Sequence, residues 1–86
     1  MTIHIPTALQ SYSGQQRELS LEGTTVGEVL LSLDHCYPGI RFRIIDEQDR
    51  IRPHIRMFVN DVQAPHLHVP VAPDEHLYII CALSGG

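Results

Sequence analysis

Gly85 and Gly86 close the sequence directly after an apolar run, and the α-carboxylate they carry is the group with the plainest chemistry. Lacking Cβ atoms, two glycines let a backbone thread a narrow channel. A terminal carboxyl group, with an ordinary pKa of about 3.3–3.7, is ionised at neutral pH and can attack the α-phosphate of ATP. The acyl-adenylate so formed is open to displacement by a sulfur nucleophile. A Gly-Gly end alone is weak evidence, because termini tolerate change. Its weight comes from standing at the end of a strand.

The other reactive side chains organise less well. Extended, His66-Leu67-His68 would place two imidazoles on one face, with His54 or His76 to supply a third ligand, but no spacing brings either one near, so ordinary surface histidines and no metal are expected. Cys36 and Cys81 lie far apart and outside any paired-cysteine motif, which predicts reduced thiols. Cys81 sits in Ile79-Ile80-Cys81-Ala82-Leu83 and reads as a small buried hydrophobe. Spacing supplies no Ser-His-Asp, Cys-His or paired-carboxylate constellation, so no catalytic site of the chain's own is expected.

Presenting that carboxylate requires a scaffold. Ile3 and Ile5 flank His4, and after Ser11-Tyr12-Ser13-Gly14 the residues Leu19 and Leu21 flank Ser20, which predicts two strands joined as a hairpin. Thr25 and Glu28 have capping-box spacing, and Val26, Val29, Leu30, Leu33 and Cys36 then share one helical face. The helix must stop by Tyr37-Pro38-Gly39. Arg41 to Ile51 is ambiguous around its polar turn at Asp46-Glu47-Gln48-Asp49. Ile55, Met57 and Val59 then alternate with His54, Arg56 and Phe58 up to Asn60-Asp61. A last strand puts Leu77, Ile79, Cys81 and Leu83 on one side and His76, Tyr78, Ile80 and Ala82 on the other.

The order strand, strand, helix, strand, strand lets the first and last strands pair in parallel, with the helix on one sheet face. This is an α+β fold of the β-grasp kind: a mixed sheet of four to five strands and one main helix. It assigns residues 1–83 to the domain and 84–86 to a flexible tail. The length agrees, since 86 residues and 9.7 kDa suffice for one modest core.

Composition narrows the partners. A net charge of −4, with six scattered arginines and no lysine, offers no footprint for nucleic acid. No apolar run approaches the ~18 residues of a membrane span, and Met1 to Pro6 carries no basic segment leading into an apolar one, so a cytoplasmic location is expected. Arg41, Arg43, Arg50, Arg52 and Arg56, interleaved with Asp46, Glu47 and Asp49, read as a solvated, salt-bridged face, with contact to a partner as the second reading. Phe58, Tyr78 and Ile80 point away from the core set and form a candidate docking patch, unless the segment Phe42 to Ile51 folds over them.

Together these features resemble a known family, the ubiquitin-like sulfur carriers related to the thiamin-pathway carrier and the small subunit of molybdopterin synthase. The resemblance rests on Ile5-Pro6-Thr7, Gly14-Gln15, Gly23-Thr24-Thr25-Val26-Gly27, Tyr37-Pro38-Gly39-Ile40, Phe58-Val59-Asn60-Asp61 and Gly85-Gly86. The subgroup it looks most like supplies sulfide for amino-acid biosynthesis such as that of cysteine, with related forms serving methionine or thiolated siderophores. Two departures stand out: Asp74-Glu75-His76-Leu77 replaces the family's Gly-Asp-Glu-Val, and Cys81 stands where many members have proline. Asp tolerates the left-handed turn that the first change implies.

The resemblance implies a co-substrate with no permanently bound cofactor. An E1-like enzyme would use ATP to adenylate Gly86, with Gly85 and Ser84 threading its channel. A sulfur donor of the rhodanese or desulfurase type would convert the adenylate to a thiocarboxylate, for use by a sulfide-accepting biosynthetic enzyme. Some members carry residues after the glycines that a metalloprotease removes; none follow here, so this form is expected to be competent. Two alternatives share the tail: a molybdopterin synthase small subunit and a protein modifier. A metal-binding module built on the histidines is a third. A chain without lysine has no side-chain amine on which to build an isopeptide with itself, which suits a carrier.

Overall fold

The computed structural model describes residues 1–82. Leu83, Ser84, Gly85 and Gly86, and with them the expected boundary at residue 83, lie outside the described residues. Strand β1 is Thr2–His4, with only Ile3 pointing into the core. It pairs antiparallel with β2, Glu18–Ser20, so the expected hairpin forms. Its connection is richer than a simple turn. Thr7–Tyr12 make a 3₁₀ segment that buries Leu9, and buried Ser13 donates its hydroxyl to the Gln10 and Gln16 carbonyls. Gly14 and Gln15 then reverse the chain at positive φ.

Helix α1, Val26–Cys36, starts at the expected cap: the Thr25 hydroxyl accepts the Glu28 amide. Glu28 reaches back one residue further than the simple box, accepting from the amide and hydroxyl of Thr24, each at 2.7 Å. Those bonds hold its carboxyl below the usual carboxylate range. Val26, Val29, Leu30 and Leu33 are fully buried. Cys36 is exposed, contrary to its assignment to that face, because it sits in the last turn at the edge of the apolar stripe. Tyr37 caps the end, and Gly39 takes φ +102° as the Pro-Gly pair requires.

The ambiguous middle segment is a second, five-residue helix, α2, Ile40–Ile44. Asp34 Oδ1 accepts the amides of Gly39 and Arg41 and so anchors its start. Ile40, Ile44 and Ile45 are completely buried beside α1. Strand β3, Ile55–Val59, turns at Asn60-Asp61 into a two-residue strand, β4, Val62–Gln63, which alternation was too short to show. Asn60, at φ +53°, tolerates the left-handed step. Asp74 is not among the residues at positive φ, so the departure before the last strand needs no left-handed conformation.

Strand β5, His76–Cys81, completes a five-stranded mixed sheet in the order β2-β1-β5-β3-β4. It runs parallel to β1 and antiparallel to β3, in the expected β-grasp arrangement. Ile3, Ile55, Met57, Leu77 and Ile79 meet α1 across one face. Each such side chain contributes about 1.5–3 kcal/mol on full burial, so the sheet face and helix hold the last strand firmly. No helix of the described residues is long and apolar enough to cross a membrane.

Candidate functional site: the outer sheet face and the root of the tail

Register assembles the outer face of the sheet. Glu18, His4, Tyr78, Phe58 and Gln63 are successive Cα partners across all five strands. One step toward the tail, Ile80 stands opposite Arg56. Tyr78 is 38% and Ile80 47% exposed, while Phe58 is half-buried. The segment Phe42 to Ile51 does not fold over them; its isoleucines turn into the core on the other side of the sheet. The three residues expected to form a patch therefore lie on one open face.

That face also carries a feature the sequence reading missed. The His4 and Tyr78 rings stack with centroids 4.3 Å apart and planes 8° apart, and His76 stacks on His4 at 5.2 Å. Two imidazole nitrogens, His4 Nε2 and His76 Nδ1, meet at 2.9 Å, and Glu18 Oε1 lies 3.9 Å from His4 Nδ1. The signal was present: outward alternation in the first and last strands, combined with their parallel pairing, brings these side chains together.

His76 thus faces His4. His66 and His68 make a turn in which His66 Nδ1 accepts the His68 amide, their ring centroids 5.9 Å apart. His54 borders a different groove. Among the described residues no three His, Cys, Asp or Glu side chains are grouped to hold a metal.

At the end of β5 the Ala82 amide donates to the His54 carbonyl at 2.7 Å, which holds the last described residue against the approach to β3. Beside this exit lies a groove of about 500 Å³ bordered by the 3₁₀ segment, α2, the approach to β3 and the end of β5. Cys81 opens onto it half-buried, not sealed in the core as expected, and partial burial pushes its thiol up. Cys81 and Cys36 are both free thiols.

The expected salt-bridged arginine face is not what forms. Among the described residues only Arg41 pairs with a carboxylate, Asp49 at 3.3 Å. Arg52 Nε donates to the Phe42 carbonyl at 2.7 Å, and Arg56 donates to the carbonyls of Pro53 and Ile55. Asp46 is occupied by the Gln48 and Arg50 amides, which hold its carboxyl below the usual range. Short-range backbone partners outcompete exposed ion pairs, which are worth at most about 1 kcal/mol each.

The site presents the root of a tail between an open aromatic face and a groove. Ser84, Gly85 and Gly86 themselves lie outside the described residues.

Comparison with known proteins fits this geometry. The sulfur carrier protein CysO of Mycobacterium tuberculosis is 31% identical over 91 residues, covering 100% of this chain and 98% of the relative. The CysO of Mycobacterium bovis matches equally. Among solved structures, the Amycolatopsis orientalis BexX/CysO complex superposes with a TM-score of 0.91 at 28% identity, covering 99% of this chain and 98% of the other. The M. tuberculosis CysO structure gives 0.88 at 29%, covering 95% and 98%. SAMP1 of Haloferax volcanii shares the fold, at a TM-score of 0.79 and 24% identity over 100% of this chain and 98% of the other. The profile of the ThiS family matches residues 3–86, and the chain belongs to that family.

Proposed function

We propose that this chain is a sulfur carrier of the cysteine-biosynthetic type, acting in the cytoplasm as a co-substrate and not as a catalyst. The observation that carries the reading is β5: locked between β1 and β3, it delivers the chain directly toward Gly86, in a fold that matches CysO carriers over its whole length.

The Gly86 carboxylate oxygen attacks the α-phosphorus of ATP in an E1-like enzyme, and pyrophosphate leaves. The outer sulfur of a persulfide on a rhodanese- or desulfurase-type donor then attacks the acyl carbon and AMP leaves; a thiol next attacks the donor-side sulfur of the resulting acyl disulfide, forms a disulfide with the donor and releases the thiocarboxylate. A biosynthetic enzyme takes the sulfide. Gly85 and Ser84 thread the channel, the latter small enough to pass. Phe58, Tyr78 and Ile80 form the docking face, since open apolar area next to a reactive tail favours a partner there. The BexX/CysO complex supports the idea that a carrier of this shape assembles with a partner protein.

ATP–pyrophosphate exchange with the E1-like enzyme tests the first step. Exchange is expected with the full chain and not after deletion of Gly86; exchange that survives the deletion contradicts the site.

A further inference from the structure

The groove at the root of the tail holds two guanidinium groups that the sheet face and core do not use. Arg43 lies over the Tyr12 ring at 4.7 Å from its centroid, and Arg52 over the Phe42 ring at 4.6 Å. Each guanidinium carbon is within cation–π range of a ring, a contact that takes up none of its N–H donors. Among the described residues Arg52 spends only Nε, on the Phe42 carbonyl. Among the described residues no carboxylate comes within ion-pair distance of either arginine. Acid is not scarce, with ten acidic residues against six arginines, and the nearby Asp46 is turned to backbone amides. The aromatic walls are open as well: Phe42 is 55% and Tyr12 38% exposed.

We infer that this groove seats an acidic segment of the enzyme that activates the tail, with its carboxylates on the Arg43 and Arg52 guanidiniums and an apolar neighbour on Phe42 and Tyr12. Charge complementarity gives the chemistry, since two guanidiniums on one groove with open N–H donors suit carboxylate oxygens. Reach gives the partner. Ala82 borders the groove, and the four residues after it span at most about 14 Å. An enzyme that holds the Gly86 carboxylate is therefore within reach of this groove. The inference rests on the reading of the tail above, and adds a contact separate from the outer sheet face.

The test titrates the ¹⁵N-labelled full chain with a blocked peptide of sequence Glu-Phe-Glu-Asp, beside its Gln-Phe-Gln-Asn counterpart. Amide shifts centred on Tyr12, Phe42, Arg52 and Ala82 are expected with the acidic peptide. They weaken tenfold or more with the neutral peptide and in the R43Q/R52Q variant. R43Q alone, at an exposed position, serves if the double variant fails to fold. No shift, equal shifts with the neutral peptide, or shifts confined to the outer sheet face overturn the inference. So does movement of the Gly86 amide resonance in peptide-free R43Q/R52Q, which would show that the groove holds the chain's own terminus. With the E1-like enzyme, R43Q is expected to raise KM for the chain several-fold with kcat retained; an unchanged KM also overturns it. The peptide arm needs no activation, so a chain that never accepts AMP contradicts the function of the tail while leaving the groove to be judged by its own titration.

Discussion

His4 Nε2 and His76 Nδ1 are 2.9 Å apart on neighbouring parallel strands, so one of the two nitrogens carries the proton and the other accepts it. With Tyr78 stacked on His4, the pair ties β1 to β5 on the face opposite the core. Replacing His76 by Ala removes this bond and one stacked ring. The expected loss is about 0.5–1.5 kcal/mol, read as a lower urea midpoint; an unchanged midpoint would show the pair to be ornamental.

Ile80 projects from the same face toward the tail, opposite Arg56, and packs against little. Ile80→Thr keeps the branched Cβ that suits a strand. Stability is expected to stay within about 0.5 kcal/mol, as for exposed substitutions generally. KM with the E1-like enzyme should rise about tenfold if this face docks, equivalent to about 1.4 kcal/mol. Steady-state kinetics at saturating ATP make the comparison.

Gly23 precedes the helix where a Cβ would lie 2.8 Å from both Val29 Cγ2 and the Val29 amide nitrogen. The latter is helix backbone and cannot give way cheaply. Gly23→Ala is expected to cost about 1–3 kcal/mol, visible by thermal unfolding. Gly39→Ala makes a contrast, since nothing lies within 4 Å of the added methyl and its cost comes only from φ +102°.

Glu28 contributes a pH dependence. Its folded carboxyl lies below its ordinary value of 4.5, because the Thr24 amide and hydroxyl bond to the charged form. The contribution is therefore complete above the ordinary value and disappears as pH falls through the lowered one. Glu28→Gln should flatten the urea midpoint between pH 5 and pH 3 relative to the unmutated chain. An identical slope in the two proteins would remove Glu28 as the source, leaving Asp46, held low by the Gln48 and Arg50 amides.

How legible this was depended on the length of the pattern. Six residues of alternation around Tyr78, and a capped eleven-residue helix, announced themselves because burial repeats there with a fixed period. Helix α2 did not, since five residues give barely more than one turn, and Arg41, Phe42 and Arg43 resemble a strand as much as a helix. The arginine groove was hidden for another reason. Arg43, Tyr12, Arg52 and Phe42 come from segments that only the tertiary fold brings together, and sequence proximity to Asp46 suggested an ion pair that its bonds to backbone amides displace. Cys36 lies on the helix as expected but is exposed in its last turn at the edge of the stripe, whereas the outward direction of Tyr78 and Ile80 followed from period two alone.

The most direct test is the intact mass of the full chain after incubation with its E1-like enzyme, ATP and a sulfur donor. The account predicts a rise equal to the exchange of one oxygen for sulfur, abolished by deleting Gly86. An unchanged mass in the full chain, or sulfur acquired by the chain lacking Gly86, would contradict it.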